Sequence, residues 1–145
     1  MKIAIGCDPN AREYKREMIP FIESLGHQVV DFGSDDPIYA HTAVALGEAV
    51  ADGRCDRGIL ICGTGIGVCI AANKVRGVYA AEVNNIYQAE RAQLSNKANV
   101  ITMGSQVIGI ELAKCLVREY LKNTFDEQSR SGPKVAAIME YEAAR

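Results

Sequence analysis

Cys62 ends an apolar run and is followed directly by a glycine-rich stretch, in the segment GILICGTGIG at residues 58–67. A thiol at the end of a strand, with small residues opening a helix behind it, lies near the positive end of the helix dipole, which stabilises the thiolate. The backbone N–H groups of the stretch would point toward the same place and could bind an oxyanion. The segment therefore predicts a cysteine presented to a substrate.

The same glycines fit a nucleotide-binding loop poorly. Their spacing is G-x-G-x-G after the third predicted strand, whereas the dinucleotide fingerprint is G-x-G-x-x-G, usually after the first strand. A phosphate-binding loop of the type G-x-x-x-x-G-K-[ST] is absent. The remaining alternative is structural: the glycines only turn the chain, and Cys62 is a packed thiol of the core.

The other cysteines and the histidines form no recognisable cluster. The chain has five cysteines, an odd number without a repeated spacing, and two histidines. This pattern matches no zinc site, so no metal is expected. Cys55, Cys69 and Cys115 are expected to be free buried thiols in a reducing compartment. His27, at a helix–strand turn, is expected to be structural, whereas His41 could project toward the pocket.

Short apolar runs alternate with amphipathic segments along the chain, which predicts strand–helix units. Strands are predicted at residues 2–6, 28–32, 58–62, 78–83 and 99–104. Helices are predicted near residues 14–25, 43–51, 67–74 and 107–121, with a last one opened by Ser131-Gly132-Pro133. Residues 1–145 are therefore expected to form one α/β domain, a doubly wound, Rossmann-like three-layer sandwich with a five-stranded parallel sheet.

Three polar groups border the predicted strands. Residues 6–8 (Gly-Cys-Asp) end the first strand, residues 62–64 (Cys-Gly-Thr) end the third, and Ser95-Asn96 precedes the fifth. Ligands of doubly wound sheets bind beyond the carboxyl ends of the strands. We expect the three groups to converge at that edge and form a site.

The composition excludes several function classes. A net charge of −2 supplies no field that would attract nucleic acid or an anionic membrane. No apolar run approaches the ~20 residues of a membrane-spanning helix, and the opening MKIAIGCD lacks the layout of a signal peptide. A cytoplasmic protein with neither nucleic acid nor a membrane as partner is therefore expected.

Four motifs, in this order, carry a resemblance to a known family: GCD at 6–8, ICGTGIG at 61–67, AANK at 71–74 and ANV at 98–100. From residue 2 to about residue 140, the chain resembles the type B ribose-5-phosphate isomerases and the galactose-6-phosphate isomerase subunits. The resemblance implies an aldose–ketose isomerase of a small phosphorylated sugar that uses no metal or other cofactor. It also implies a homodimer or a dimer of dimers, with active sites between subunits and the segment 123–145 reaching a neighbouring subunit.

The resemblance assigns the chemistry to residues at the end of the third strand. Cys62 matches the base that moves a proton between C1 and C2 through a cis-enediolate, and Thr64 matches the residue that assists at the adjacent hydroxyl. The loop that stabilises the enediolate is matched by Gly63, Gly65 and Gly67.

Further residues match substrate-binding positions of the family. Asp8 and Tyr39 match residues that bind substrate hydroxyls, and Asn96 matches an enediolate-binding asparagine of the neighbouring subunit. Arg130 and Lys134 fall in the C-terminal segment where the family binds phosphate, also across the subunit boundary.

Five positions depart from the family pattern. Pro9 stands where a phosphate-binding histidine is usual, and Ser95 stands where a histidine opens the sugar ring. Arginines are frequent at the positions of Tyr79, Gln106 and Lys134. The isomerising part of the site is therefore retained, whereas the ring-opening and phosphate-binding parts are altered.

These departures favour a sugar substrate that is already in its open-chain form. A serine cannot pass a proton near neutral pH as a histidine can. We therefore expect the residue at position 95 to matter only for a cyclic sugar. The same holds for His41, which is the other possible site residue. A tetrulose 4-phosphate, whose terminal hydroxyl carries the phosphate, cannot close to a furanose, which makes erythrulose 4-phosphate the favoured substrate. The alternatives are a ribose-5-phosphate or hexose-6-phosphate isomerase, a subunit of a hetero-oligomeric isomerase that needs a related partner, and a metabolite sensor without turnover.

Overall fold

Five parallel strands form the single sheet of the computed structural model, which describes residues 1–145. The strands are β1 (Lys2–Cys7), β2 (Gln28–Asp31), β3 (Arg57–Cys62), β4 (Ala80–Glu82) and β5 (Val100–Gly104). Their order across the sheet is β2-β1-β3-β5-β4, and every neighbouring pair is parallel. The predicted α/β class with a five-stranded parallel sheet is confirmed.

Helices cover both faces of this sheet. They are α1 (Arg12–Ser24), α2 (Tyr39–Ala51), α3 (Ile66–Ala72), α4 (Ile86–Leu94), α5 (Ile110–Lys122) and α6 (Gly132–Ala143). Buried side chains of α1, α4 and α5 pack on one face in a core of 20 residues, and those of α2 and α3 pack on the other face in a core of 13 residues. This is the predicted three-layer arrangement. None of the helices combines the length and the apolar character that crossing a bilayer requires.

Two elements differ from the prediction. The fourth strand has three residues rather than the predicted six, because the N–H of Tyr79 donates to the side-chain oxygen of Asn99 at 2.8 Å instead of entering the ladder. Helix α4 was not predicted at all. It is nine residues long, and its buried apolar residues are only Ala89 and Ala92, so it has no pronounced apolar stripe.

The C-terminal helix α6 docks on its own chain. The guanidinium of Arg76 donates to the backbone carbonyls of Glu142 and Arg145 at 2.8 and 2.6 Å, and the hydroxyl of Tyr79 donates to the Glu142 carboxylate at 2.7 Å. Burial and the Glu142 carboxylate raise the pKa of Tyr79 to about 12. Because residues 76–79 precede β4, the end of α6 lies at the amino-terminal edge of the sheet.

Candidate active site

The sheet grows in two directions from β1. Strand β2 lies on one side of β1 and β3 lies on the other, so the connections that follow β1 and β3 diverge and leave a crevice beyond their carboxyl ends. Asp8 follows β1, and its N–H donates to the carbonyl of Ile61 in β3 at 3.3 Å. Asp8 is therefore held beside the end of β3, where Cys62 lies.

Cys62 is buried at the carboxyl end of β3, with 5% of its surface exposed. The backbone N–H of Gly65 donates to its Sγ atom at 3.1 Å. Such a donor stabilises negative charge on the sulfur, and the thiolate is the form that can accept a proton. The exposed Thr64 follows two residues later, and its Oγ1 accepts a hydrogen bond from the N–H of Ile66 at 3.3 Å.

The other four thiols have different surroundings. Burial raises the pKa of Cys7 to about 11, so it is a neutral thiol at neutral pH. Burial also raises the pKa of Cys55 and of Cys69. The expectation of burial is confirmed for Cys55, but Cys69 is only half-buried, and the expectation is wrong for Cys115, which lies on the solvent side of α5. The sulfur of Cys62 is the one that accepts an N–H of the glycine-rich loop.

Two glycines of the loop are required by its close contacts. Gly65 has a φ of +83°, and a Cβ there would lie 2.7 Å from the carbonyl carbon of Met103. A Cβ on Gly67 would lie 2.5 Å from the Cζ atom of Tyr39, so the Tyr39 ring lies directly against the loop. We call Asp8, Tyr39 and residues 62–67 the cysteine half-site.

Gln106 also borders the cysteine half-site. Its backbone N–H donates to the carbonyl of Gly63 at 3.0 Å, and a Cβ on Gly63 would lie 3.4 Å from the Gln106 side-chain amide. Where the resemblance expects an arginine, this site therefore has a neutral amide.

Ser95 and Asn96 do not join the cysteine half-site within one chain, and the expectation that they converge there is wrong. All strands run parallel, so residues that precede β5 lie at its amino end, whereas the loop after Cys62 lies at the carboxyl edge. Five residues in β5, at ~3.3 Å each, separate the two edges by roughly 15 Å. The prediction that Asn96 serves the site of a neighbouring subunit is compatible with this placement.

A cavity of about 290 Å³ brings Ser95 and Asn96 together with Arg130 and Lys134. Helix α4 and the residues after it contribute one side, and the start of α6 contributes the other. Three lining residues, Arg91, Arg130 and Lys134, are cationic, and none is acidic. We call Arg91, Ser95, Asn96, Arg130 and Lys134 the basic half-site.

The two histidines lie outside both half-sites. The Nδ1 atom of His41 lies 2.9 Å from the Asp36 carboxylate, and the His41 side chain is 69% exposed. The N–H of Ile38 and then the His41 ring hold the pKa of Asp36 below its usual value. No hydrogen bond joins His41 to the cysteine half-site. His27 contacts the chain's amino terminus through Nδ1 at 3.0 Å, as expected for a structural residue.

A larger cavity, of about 640 Å³, lies at the amino edge of the sheet and away from Cys62. Its polar groups are already paired within the chain: Arg57 and Arg76 donate to backbone carbonyls, and Tyr79 donates to Glu142. Its size alone therefore does not make it the candidate site. No group of three or more histidine, cysteine or carboxylate side chains is placed to hold a metal ion.

Arg91 is the member of the basic half-site that the sequence patterns did not identify. It lies four residues before Ser95, and its Nε donates to the Ser95 hydroxyl at 2.7 Å. Side chains four residues apart contact each other when the segment is helical. Because α4 was not predicted, the contact between Arg91 and Ser95 was not expected. The available signal was the pattern Asn85-x-x-Gln88, in which the Asn85 side chain accepts from the N–H of Gln88 at 2.9 Å and caps the helix.

Known proteins similar to this chain were found by sequence and by structure. A family model described as Ribose/Galactose Isomerase matches residues 3–138. D-erythrulose-4-phosphate isomerase of Pectobacterium atrosepticum is 44% identical, over 98% of this chain and 95% of that protein. Ribose-5-phosphate isomerase B of Escherichia coli is 40% identical, over 99% of this chain and 98% of that protein. The structure of Clostridium thermocellum ribose-5-phosphate isomerase B has a TM-score of 0.92 at 41% identity, and the match covers 99% of both chains.

Proposed function

This chain belongs to the ribose/galactose isomerase family and is an aldose–ketose isomerase, and we propose that it converts an open-chain tetrulose 4-phosphate with Cys62 as the base. Erythrulose 4-phosphate is the favoured substrate. The observation that carries the chemical part of the proposal is the hydrogen bond from the Gly65 N–H to the Sγ of Cys62 at 3.1 Å.

The reaction is a proton transfer between neighbouring carbons. The Cys62 thiolate removes a proton from C1 of the ketose, the C–H electron pair forms a C1=C2 double bond, and the carbonyl electrons move to O2. The backbone N–H groups of the loop stabilise this enediolate. The O1 proton then moves to O2 with the help of Thr64, and Cys62 returns its proton to C2 while the C1 carbonyl forms.

Asp8 and Tyr39 orient the sugar hydroxyls in this proposal. The two carboxylate oxygens of Asp8 accept hydrogen bonds from the backbone and the side-chain amide of Asn10 at 3.0 and 3.3 Å. These contacts fix the carboxylate and leave lone pairs for a hydroxyl. The Tyr39 ring is fixed against Gly67, with its hydroxyl at the same loop.

The complete site needs two copies of the chain. The cysteine half-site lies at the carboxyl edge of the sheet and the basic half-site at the amino edge, so one chain cannot bring both to one small sugar. Large apolar side chains are exposed beside each of them: Ile66 and Ile70 on α3, and Tyr87 and Ile138 around the basic half-site. A homodimer, alone or as a dimer of dimers, would cover these side chains and bring residues 123–145 to the neighbouring site.

The proposal of a four-carbon substrate rests on the ring-opening histidine that Ser95 replaces. With Ser95 at the position of the ring-opening histidine, no group at that position can open a ring near neutral pH. An open-chain tetrulose phosphate needs no such group. The name of the Pectobacterium relative supports this substrate, whereas the name of the Escherichia coli relative supports the alternative, ribose 5-phosphate.

A second candidate is a subunit of a hetero-oligomeric isomerase. In this arrangement a related chain supplies the histidine and arginines that are replaced here by Ser95, Gln106 and Lys134. The basic half-site favours the homodimer, because it already holds three cations on this chain.

The test is the activity of the purified protein alone. We expect isomerisation of a tetrulose 4-phosphate with a kcat/KM well above that for ribose 5-phosphate, a hexose 6-phosphate or free erythrulose. Equal or better activity on ribose 5-phosphate would contradict the four-carbon substrate. Activity that emerges only after a related chain is added would favour the hetero-oligomer.

A further inference from the structure

The basic half-site has an unusual charge balance for a chain of net charge −2. Its cavity is lined by three cationic side chains and by no carboxylate. Arg130 and Lys134 form no ion pair within the chain, whereas eight of the other fourteen lysines and arginines do. Unpaired cations that face one cavity repel each other, so the arrangement is stabilised by an anion.

Arg91 differs from Arg130 and Lys134 because its position is fixed. Its Nε donates to the Ser95 hydroxyl at 2.7 Å, and one terminal nitrogen lies 3.3 Å from the carboxylate of Glu90, the preceding residue. The Arg91 side chain is 36% exposed. An arginine has five N–H donors, so these two contacts leave donors of the guanidinium free for an oxyanion.

The contact with Ser95 also determines what the serine can do. The Ser95 oxygen accepts from Arg91, and its own O–H stays free to donate. The guanidinium and the Ser95 hydroxyl are therefore two neighbouring donors on the side of the cavity that α4 forms. They share the cavity with Arg130 and Lys134, which lie on the side formed by α6 and the turn before it.

We infer that Arg91 is a substrate-binding residue and, with Arg130, binds the phosphate of the substrate. This inference rests on the proposed function, which supplies a phosphorylated substrate. Because one guanidinium contacts both the phosphate and Ser95, the phosphate is bound close to the Ser95 hydroxyl. That short spacing selects a short sugar chain, so Arg91 also determines specificity.

The test is calorimetric titration of inorganic phosphate into the wild type and into Arg91→Gln, Arg91→Lys and Arg16→Gln. Arg16 is the matched control, since it is a helical arginine that pairs with a nearby glutamate, Glu13, at 2.5 Å but lies on α1. We expect Arg91→Gln to raise the Kd for phosphate about tenfold, because a charge-assisted contact is lost. We expect Arg91→Lys to recover part of that loss, because it keeps the charge without the planar fork. Arg16→Gln should bind as the wild type does.

Kinetics of the same variants separate specificity from folding. Arg91→Gln should raise KM for the tetrulose phosphate more than for ribose 5-phosphate, with kcat nearly unchanged, and its thermal midpoint should stay near that of the wild type. Phosphate binding that does not respond to Arg91→Gln, or no phosphate binding by the wild type, would overturn the inference even if the protein is an active isomerase. Arg91-dependent phosphate binding without turnover of any sugar phosphate would instead overturn the proposed function and leave the phosphate site intact.

Discussion

The two half-sites are built in different ways. The cysteine half-site is defined by the main chain: the Gly65 N–H contacts Cys62, and glycines pack against the Met103 backbone and the Tyr39 ring. The basic half-site is defined by long side chains on α4, on α6 and in the turn before α6, and its cations at residues 130 and 134 are exposed and unpaired.

Under the proposed function, this difference separates the chemistry from the choice of substrate. Main-chain donors depend on the fold, and any side chain at Gly65 or Gly67 would collide with its neighbours. Long exposed side chains can change without disturbing the core. We therefore expect substitutions in the cysteine half-site to remove turnover, and substitutions in the basic half-site to change which sugar phosphate is bound.

The largest effect is expected for Cys62→Ser. A serine hydroxyl is far too weakly acidic to act as this base, and loss of a general base lowers kcat by ~10²–10⁴-fold. The measurement is kcat on the best substrate, with Cys115→Ser as the control because that exposed thiol belongs to neither half-site. Near-normal turnover of Cys62→Ser would show that another group moves the proton.

A smaller loss is expected for Gly65→Ala, which tests whether the main chain determines the cysteine half-site. The added Cβ would lie 2.7 Å from the Met103 carbonyl carbon, so the loop must shift and the N–H contact with Cys62 must weaken. We expect kcat to fall at least about tenfold, because removing one preorganised donor costs that much or more.

Gly26→Ala is the matched control for this variant. Gly26 also has a positive φ, of +92°, but nothing lies within 4 Å of its Cβ position. Both variants carry the strain of a left-handed residue, about 1–2 kcal/mol, and both thermal midpoints should fall. Only Gly65→Ala should lose activity. Similar activities for the two variants would show that the main-chain contact of the loop with Cys62 is not needed for turnover.

In the basic half-site, Arg130→Ala should raise KM more than Lys134→Ala does. An arginine binds a phosphate through two parallel hydrogen bonds, whereas a lysine acts as a point charge. We expect a KM increase of about tenfold for Arg130→Ala, a smaller one for Lys134→Ala, and weaker discrimination against the free sugar in both. Unchanged kinetics of Arg130→Ala would place the segment 123–145 outside the site.

The smallest change is expected for Ser95→His, and it separates the two substrates. A histidine can pass a proton between a ring oxygen and an anomeric hydroxyl near neutral pH. It should therefore improve kcat/KM for ribose 5-phosphate by a few-fold, whereas the tetrulose phosphate should gain nothing, because the Ser95 hydroxyl that contacts Arg91 is lost. A wild type that already uses both equally well would show that ring opening does not limit it.

The sequence predicted the parts of the molecule that have a strong local pattern. The five apolar strands and the loop after Cys62 are confirmed as elements, because buried parallel strands and glycine-rich turns leave clear signals. Helix α4 was missed because alanines provide most of its buried surface, and Arg91 was missed with it. The placement of Ser95 and Asn96 was wrong because the direction in which a strand runs decides which edge its preceding residues occupy.

The central claim is that the two half-sites act on one sugar only across two chains. The direct measurement uses two impaired variants, Cys62→Ser and the double variant Asn96→Ala/Arg130→Ala, assayed separately and after co-expression in equal amounts. In a mixed dimer one site carries both defects and the other carries none, so random pairing leaves about one quarter of all sites intact. We predict a kcat/KM near one quarter of the wild-type value for the mixture. Activity no higher than the average of the two variants measured alone would show that each chain forms its site by itself, and would contradict the account.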